Sequence, residues 1–295
     1  NYVLHNKYRR YYYFGMGLKS KTKYKSKEPN HDGVYEYSSE ENEIWSNLYA
    51  RQEANLSNFA CEEYISGLAD LKLPRNKVPQ LLDITKTLNS KTGWCVEGVP
   101  ALISFDKFFD LLANKKFPAA TFIRTPEDFK YLREPDIFHE IFGHCPLLTN
   151  QFYADFMQKY GELGKSAPAS DQAMLARLYW FTVEFGLIKR NNSLEVYGSG
   201  IVSSINESQH ALSTNAEVKP LNLLDVFRTL YRIDIVQPIY FYIESFEELY
   251  NLVDDSKMVF DSILEAKAKG PFVPKFEVED LPEDDFRKKL VRSLA

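Results

Sequence analysis

The stretch Glu134-Pro135-Asp136-Ile137-Phe138-His139-Glu140-Ile141-Phe142-Gly143-His144-Cys145-Pro146 carries two of the chain's five histidines within six residues. Imidazole is a common ligand of divalent metal ions, and two on one short segment can hold an ion through very little chain. Their spacing is informative. In the hydrolytic H-E-x-x-H pattern the histidines are four apart, about 40° round a 3.6-residue helix. Here they are five apart, about 140° round an unbroken helix. They converge only if the helix loosens before the second, and Gly143 before His144 with Pro146 two after it supply such an ending. The expectation is a helix over residues 135–143, with His139 in its last turns and His144 at its exit. The alternative is a pair of ordinary hydrogen-bonded histidines.

Two neutral nitrogens leave a divalent ion undercharged, so a carboxylate on another helix is expected. Glu184, within Leu178-Tyr179-Trp180-Phe181-Thr182-Val183-Glu184-Phe185-Gly186-Leu187, is the candidate. A lone acid among so many apolar groups is costly to bury ionised unless a cation meets it. An Arg partner or a solvated helix edge is the other reading of Glu184. Two histidines and one carboxylate with open positions form the facial triad of non-heme Fe(II) oxygenases, whereas a closed structural zinc site wants a fourth protein ligand. Cys145 is adjacent, but neighbouring residues rarely point at one ion.

Outward from these segments the chain reads as mostly helical. Ser38 and Glu41 form a capping box that opens a helix through Ile44 and Leu48. A second helical stretch over residues 59–71 is broken by Pro74. Pro79 suits the first position of a third helix, whose apolar face is Leu81, Leu82, Ile84 and Leu88 and whose stop is Gly93. Residues 94–103 read as strand and loop, and Ser104 caps a short helix. Further helices are expected over 150–161, 170–187, 222–231 and 245–269, and short β signals sit at 195–197 and 233–236. No linker or repeat interrupts the series, so the fold class is mainly α, one domain with a few short strands. Its bounds are expected at residues 34–275, after a basic N-terminal arm (1–33) and before a C-terminal extension (276–295). Acidic then basic residues after Pro282 suit a short helix in that extension.

The composition fits a soluble globular protein: 295 residues, 44% hydrophobic and 26% charged. A net charge of −5 gives no overall cationic field towards nucleic acid. Basic residues concentrate before residue 28 and acidic ones after residue 276, which reads as a solvated tail at each end. Cys61, Cys95 and Cys145, widely spaced without C-x-x-C, read as reduced thiols. No stretch approaches the ~20 apolar residues of a membrane span, and no apolar run follows the basic N-terminus, so a cytoplasmic location is expected. Aromatic content of 15% hints at a ring-lined pocket.

The chain resembles the tetrahydropterin-dependent aromatic amino acid hydroxylases, closest to their bacterial phenylalanine 4-monooxygenases. The likeness rests on Glu134-Pro135-Asp136-Ile137 leading into His139-Glu140 and Gly143-His144, on Tyr179-Trp180-Phe181-Thr182-Val183-Glu184-Phe185-Gly186, on Tyr197-Gly198-Ser199-Gly200, and on Gln237-Pro238 with Glu244-Ser245-Phe246. It runs over residues 34–275 in the same order. The resemblance implies a helical catalytic basket holding Fe(II) on residues matching His139, His144 and Glu184. It implies hydroxylation of L-phenylalanine to L-tyrosine with O2 and a tetrahydropterin, a step of phenylalanine catabolism. Phe108 then stacks on the pterin, with Glu140, Leu102 and Ile103 beside it. Arg124 matches the clamp for the amino acid carboxylate, and Trp180, Ser203, Pro135 and Tyr179 match the substrate pocket. Leu132 departs from relatives that carry a hydroxyl there. Residues 1–33 are too few for the regulatory domain of longer relatives, and the end shows no sustained heptads, so a monomer or homodimer is expected. The rivals are hydroxylation of tryptophan or tyrosine, a zinc hydrolase with Glu140 as base, and a non-catalytic protein with a structural metal.

Overall fold

A computed structural model describes residues 23–100, 103–129 and 134–277. Ser38 and Glu41 satisfy each other's backbone donors at 2.7 and 3.2 Å, and helix α1 (Ser39–Leu56) begins there as the capping box requires. Helix α2 (Glu62–Leu71) follows, then α3 (Leu81–Thr92), stopped by Gly93 at φ +80°. Pro79 is not the first helical residue. Gln80 is extended and exchanges hydrogen bonds of 2.8 and 3.0 Å with the Tyr35 backbone, so the helix starts at Leu81.

Strands β1 (Cys95–Val99) and β2 (Lys116–Ala120) pair in parallel, with helix α4 (Phe105–Ala113) between them in sequence. Helices α5 (Gln151–Ser166) and α6 (Ala169–Tyr179) contribute the rings of Tyr153, Phe156, Tyr160 and Tyr179 to the core. The helix expected over 170–187 stops short: β3 (Gly186–Arg190) has already begun, and it turns into β4 (Ser193–Val196). Asn191 and Asn192 make that turn at φ +48° and +65°, the left-handed pair a two-residue hairpin demands. Short helices α7 (Ser199–Val202) and α8 (Ile205–Ala211) precede β5 (Glu217–Pro220), α9 (Leu223–Arg228) and β6 (Ile239–Ile243). The second sheet has the order β4-β3-β6-β5, antiparallel only at β3/β4.

Two further expectations change. Residues 245–269 form two helices, α10 (Phe246–Asp254) and α11 (Ser256–Lys269), because Asp255 turns extended and caps the second through Lys257 and Met258. Residues 233–236 are not a strand. Asp234 folds back on Arg232 at 2.8 and 3.0 Å, and the strand lies three residues beyond, at β6. The described part of the N-terminal lead-in stays largely exposed but is fastened at three residues: Tyr24 stacks on Phe122 at 4.6 Å, and Thr121 bonds Ser26 and the Lys27 carbonyl. The helix expected after Pro282 lies outside the described residues, among which no helix is long and apolar enough to cross a membrane.

Glu207 on α8 is buried, accepting the Tyr240 hydroxyl at 2.6 Å and the Gln237 N–H at 3.2 Å. Burial pushes its carboxyl up, to about 7, although both donors pull the other way. Between the ordinary 4.5 and about 7, an unfolded chain has released this proton while the folded one keeps it. Folding stability therefore falls as pH rises through that window. Relative to Glu207→Gln, the wild type is expected to lose about 3–4 kcal/mol from below pH ~4.5 to above pH ~7. Urea titrations of both metal-free proteins check this, and parallel stability curves refute it.

Candidate metal centre and substrate site

A helix opens at Ile137, and residues His139–His144 wind as a π-helix. An i→i+5 turn brings residues five apart onto one face, as an α-turn does for residues four apart. The helix expected to end before His144 is instead widened through it, and the two Nε2 atoms come to 3.0 Å. Gly143 does not terminate anything, since its φ is not positive. A Cβ there would meet the Ser199 Cβ at 3.2 Å and its carbonyl at 3.3 Å, so this glycine lets α7 lie against the widened turn. Cys145 is buried with its Sγ 3.5 Å from the Glu140 carbonyl. Burial pushes this thiol well above its usual range, and it does not join the histidines.

Glu184 ends a second π-turn, Trp180–Glu184, closed by the Phe185 N–H on the Trp180 carbonyl at 2.9 Å. Its carboxylate lies 3.4 Å from His139 Nε2 and 3.3 Å from His144 Nε2. The three ligand atoms fall within 4.8 Å of one another, and no fourth His, Cys, Asp or Glu joins them among the described residues. Two nitrogens each about 2.1 Å from an ion lie about 3.0 Å apart at a right angle and about 3.4 Å apart at the tetrahedral angle. The observed separations, 3.0 Å between the nitrogens and 3.3 and 3.4 Å from them to the Glu184 oxygens, are all of the size that one shared ion requires.

Electrostatics and hydrogen bonds prepare the cluster for a cation. Burial alone would raise the Glu184 carboxyl, but both imidazoles overcome it and hold the group far below the carboxylate range. Burial lowers His139 while Glu184 raises it, with a net rise; for His144 burial prevails over the same carboxylate. Ser203 Oγ donates to the Ser199 carbonyl at 2.7 Å and lies 3.0 Å from His139 Nδ1. Its hydrogen is thus committed, so Nδ1–H donates to Ser203, and in the neutral ring the Nε2 lone pair is left for a metal ion. Ser199 Oγ donates to Glu184 at 2.8 Å. The donor set suits a divalent ion that prefers imidazole and carboxylate.

Arg124 is 6% exposed, and its Nε and Nη2 bind the fully buried Asp136 carboxylate at 2.7 and 2.8 Å. Asp136 also accepts the backbone N–H groups of Arg124 and His139, at 3.0 and 3.1 Å. It therefore ties the arginine to the first turn that carries His139. Tyr179 is buried between Phe108, at 5.4 Å, and His144, at 6.1 Å. Phe108 packs edge-to-face on Phe109 and Tyr179, and Ile103 is buried at the lead-in to α4. Glu140 is fully buried with its carboxylate 4.0 Å from His144 Nε2. Trp180 stacks on Tyr231 at 4.4 Å, and Pro135 is half-buried at the bend before Asp136. Leu102 and Leu132 lie outside the described residues. A groove of about 520 Å³ lined by Glu40, Glu43, Glu127 and Phe129 shares no residue with the cluster, and its carboxylates would repel an amino acid carboxylate.

Sequence reasoning missed Asp136, Ser199 and the side chain of Gln237. For Asp136 a signal existed, an Asp three residues before His139 at a helix start, the N-cap spacing. The serine and the glutamine carry no periodic signal.

Known proteins are similar to the chain over most of its length. The phenylalanine-4-hydroxylase of Pseudomonas aeruginosa is 45% identical over 255 residues, 86% of this chain and 97% of that protein. The apo structure of the cold-active phenylalanine hydroxylase from Colwellia psychrerythraea matches with a TM-score of 0.85 at 47% identity, covering 88% of this chain and 100% of that one. The Chromobacterium violaceum phenylalanine hydroxylase with bound oxidised Fe(III) matches at 0.78 and 39% identity, over 84% of this chain and 89% of that one. The sequence pattern of the biopterin-dependent aromatic amino acid hydroxylases covers residues 6–268, and the chain belongs to that family.

Proposed function

We propose that the chain is a non-heme iron monooxygenase that converts L-phenylalanine to L-tyrosine with O2 and a tetrahydropterin. The observation that carries this reading is the convergence of His139, His144 and Glu184 with no fourth protein ligand among the described residues. An ion held by these three protein ligands alone would keep coordination positions open to small molecules. Bound Fe(II) and reduced pterin together supply the electrons that activate O2.

The chain's own residues bind, orient and exclude water. Ser203 fixes the His139 tautomer and Ser199 orients Glu184. Arg124, with Nε and Nη2 on Asp136, keeps Nη1 for the carboxylate of the amino acid. Trp180, Tyr179 and Pro135 line the cavity for its ring. Phe108, Glu140, Leu102 and Ile103 form the pterin side. The catalytic unit of this reading spans residues 34–275 and acts on small molecules as a monomer or homodimer. The net charge of −5 supports no nucleic-acid role.

Anaerobic loading with ferrous ion, followed by oxygen, tetrahydropterin and phenylalanine, tests the reading through tyrosine fluorescence. Tyrosine is expected only when all four are present. Turnover that needs no pterin defeats the proposal, and faster hydroxylation of tryptophan or tyrosine reassigns the substrate.

A further inference from the structure

Gln237 is 1% exposed and has nearly all its hydrogen-bonding capacity in use. Its amide nitrogen donates to the carbonyls of Arg232 and Ile235 at 2.8 and 3.0 Å. Two acceptors on one side fix which end of the amide is nitrogen, so Oε1 is the atom that accepts the Trp180 indole N–H at 3.0 Å. The Gln237 backbone N–H is in turn held by Glu207, which Tyr240 anchors from β6.

The same segment between α9 and β6 reaches the indole twice. Tyr231, near its start, lies parallel to Trp180 with ring centroids 4.4 Å apart and planes 16° apart. Gln237, near its end, takes the N–H. Phe185 covers the ring from its own side at 4.5 Å. A buried tryptophan needs an acceptor for its N–H. Here the acceptor is a side chain locked from three directions, so the segment, and not the rotamer of Trp180 alone, sets the ring plane. Trp180 opens the π-turn that ends at Glu184, which puts that plane next to the candidate metal centre.

We propose that Gln237 is a positioning residue of the substrate pocket: through the Trp180 indole N–H it fixes the wall against which the aromatic side chain packs. This rests on the reading of Trp180 as pocket lining.

The chain has three tryptophans, so metal-free protein labelled with 15N-tryptophan gives three indole signals, and Trp180→Phe assigns one of them. Gln237→Met is expected to shift that signal upfield in the proton dimension and leave the other two in place. In the iron-loaded enzyme it is expected to raise the phenylalanine KM roughly five- to tenfold, the loss of one hydrogen bond, with pterin KM and iron content unchanged. In a Trp180→Phe background the same substitution is expected to change nothing further. An equal rise in KM in both backgrounds, or an unmoved Trp180 signal, overturns the proposal while sparing the pocket reading. A phenylalanine KM untouched by Trp180→Phe overturns both. Should Gln237→Met not fold, as collapsed dispersion of the indole signals would reveal, Gln237→Asn shortens the reach by one methylene and carries the same expectations at lower amplitude.

Discussion

Glu184→Ala is expected to bind no iron and to make no tyrosine, yet to fold as well as the metal-free wild type. Without an ion, the buried carboxylate is offset by two imidazoles and the Ser199 hydroxyl, and both imidazoles can become neutral once it is gone. No charge is stranded, so the change in metal-free stability is expected to stay within about 1 kcal/mol. Iron separates the two proteins. Ferrous ion at 100 to 1,000 times its dissociation constant stabilises the wild type by about 2.7–4.1 kcal/mol. Loss of an outer-sphere partner alone typically weakens metal affinity by about 10–100-fold, and loss of the only anionic ligand exceeds that. Anaerobic thermal melts with added Fe(II), alongside iron by atomic absorption, check the expectation. A variant that keeps the iron-induced rise in Tm would falsify the assignment of Glu184 as a ligand.

Much of this site was legible because its chemistry is local. Two histidines and a buried acid announce a metal whatever the fold, and Ser38 with Glu41 announces a helix start because its hydrogen bonds span three residues. The π-turns were not legible. Five-residue spacing showed that an α-helix could not align His139 with His144, but a helix that stops and a helix that widens answer that problem equally. The choice depends on what packs outside, here α7 against Gly143 and the Tyr64 hydroxyl on the Phe142 carbonyl at 2.5 Å. Strand β6 was missed for a related reason. Its partners β3 and β5 are distant in sequence and pair in parallel, so it is a continuous apolar run without alternation. The run at 233–236 has the composition of a strand and loses that form to Arg232, Asp234 and Gln237 side chains bonding its backbone and one another.

Asp136→Asn and Arg124→Leu are each expected to destabilise the fold by about 3–5 kcal/mol, because each leaves a buried charge unmatched. Burial disfavours both ions, yet their mutual attraction and hydrogen bonds prevail, raising the arginine and lowering the aspartic acid. The double variant Arg124→Leu/Asp136→Asn removes both charges, and the asparagine oxygen can still accept the His139 N–H that Asp136 accepts at 3.1 Å. Its loss of stability is therefore expected to be well below the sum of the two single losses, a coupling of at least about 2 kcal/mol. Phenylalanine binding should not recover with stability. If Arg124 Nη1 meets the substrate carboxylate, every variant without the guanidinium binds phenylalanine about 2–5 kcal/mol more weakly, with the pterin requirement little changed. Urea melts and calorimetric titration of the four proteins separate the two roles. Strictly additive stabilities would show that the pair is not coupled, and a double variant with wild-type affinity for phenylalanine would remove Arg124 from the substrate site.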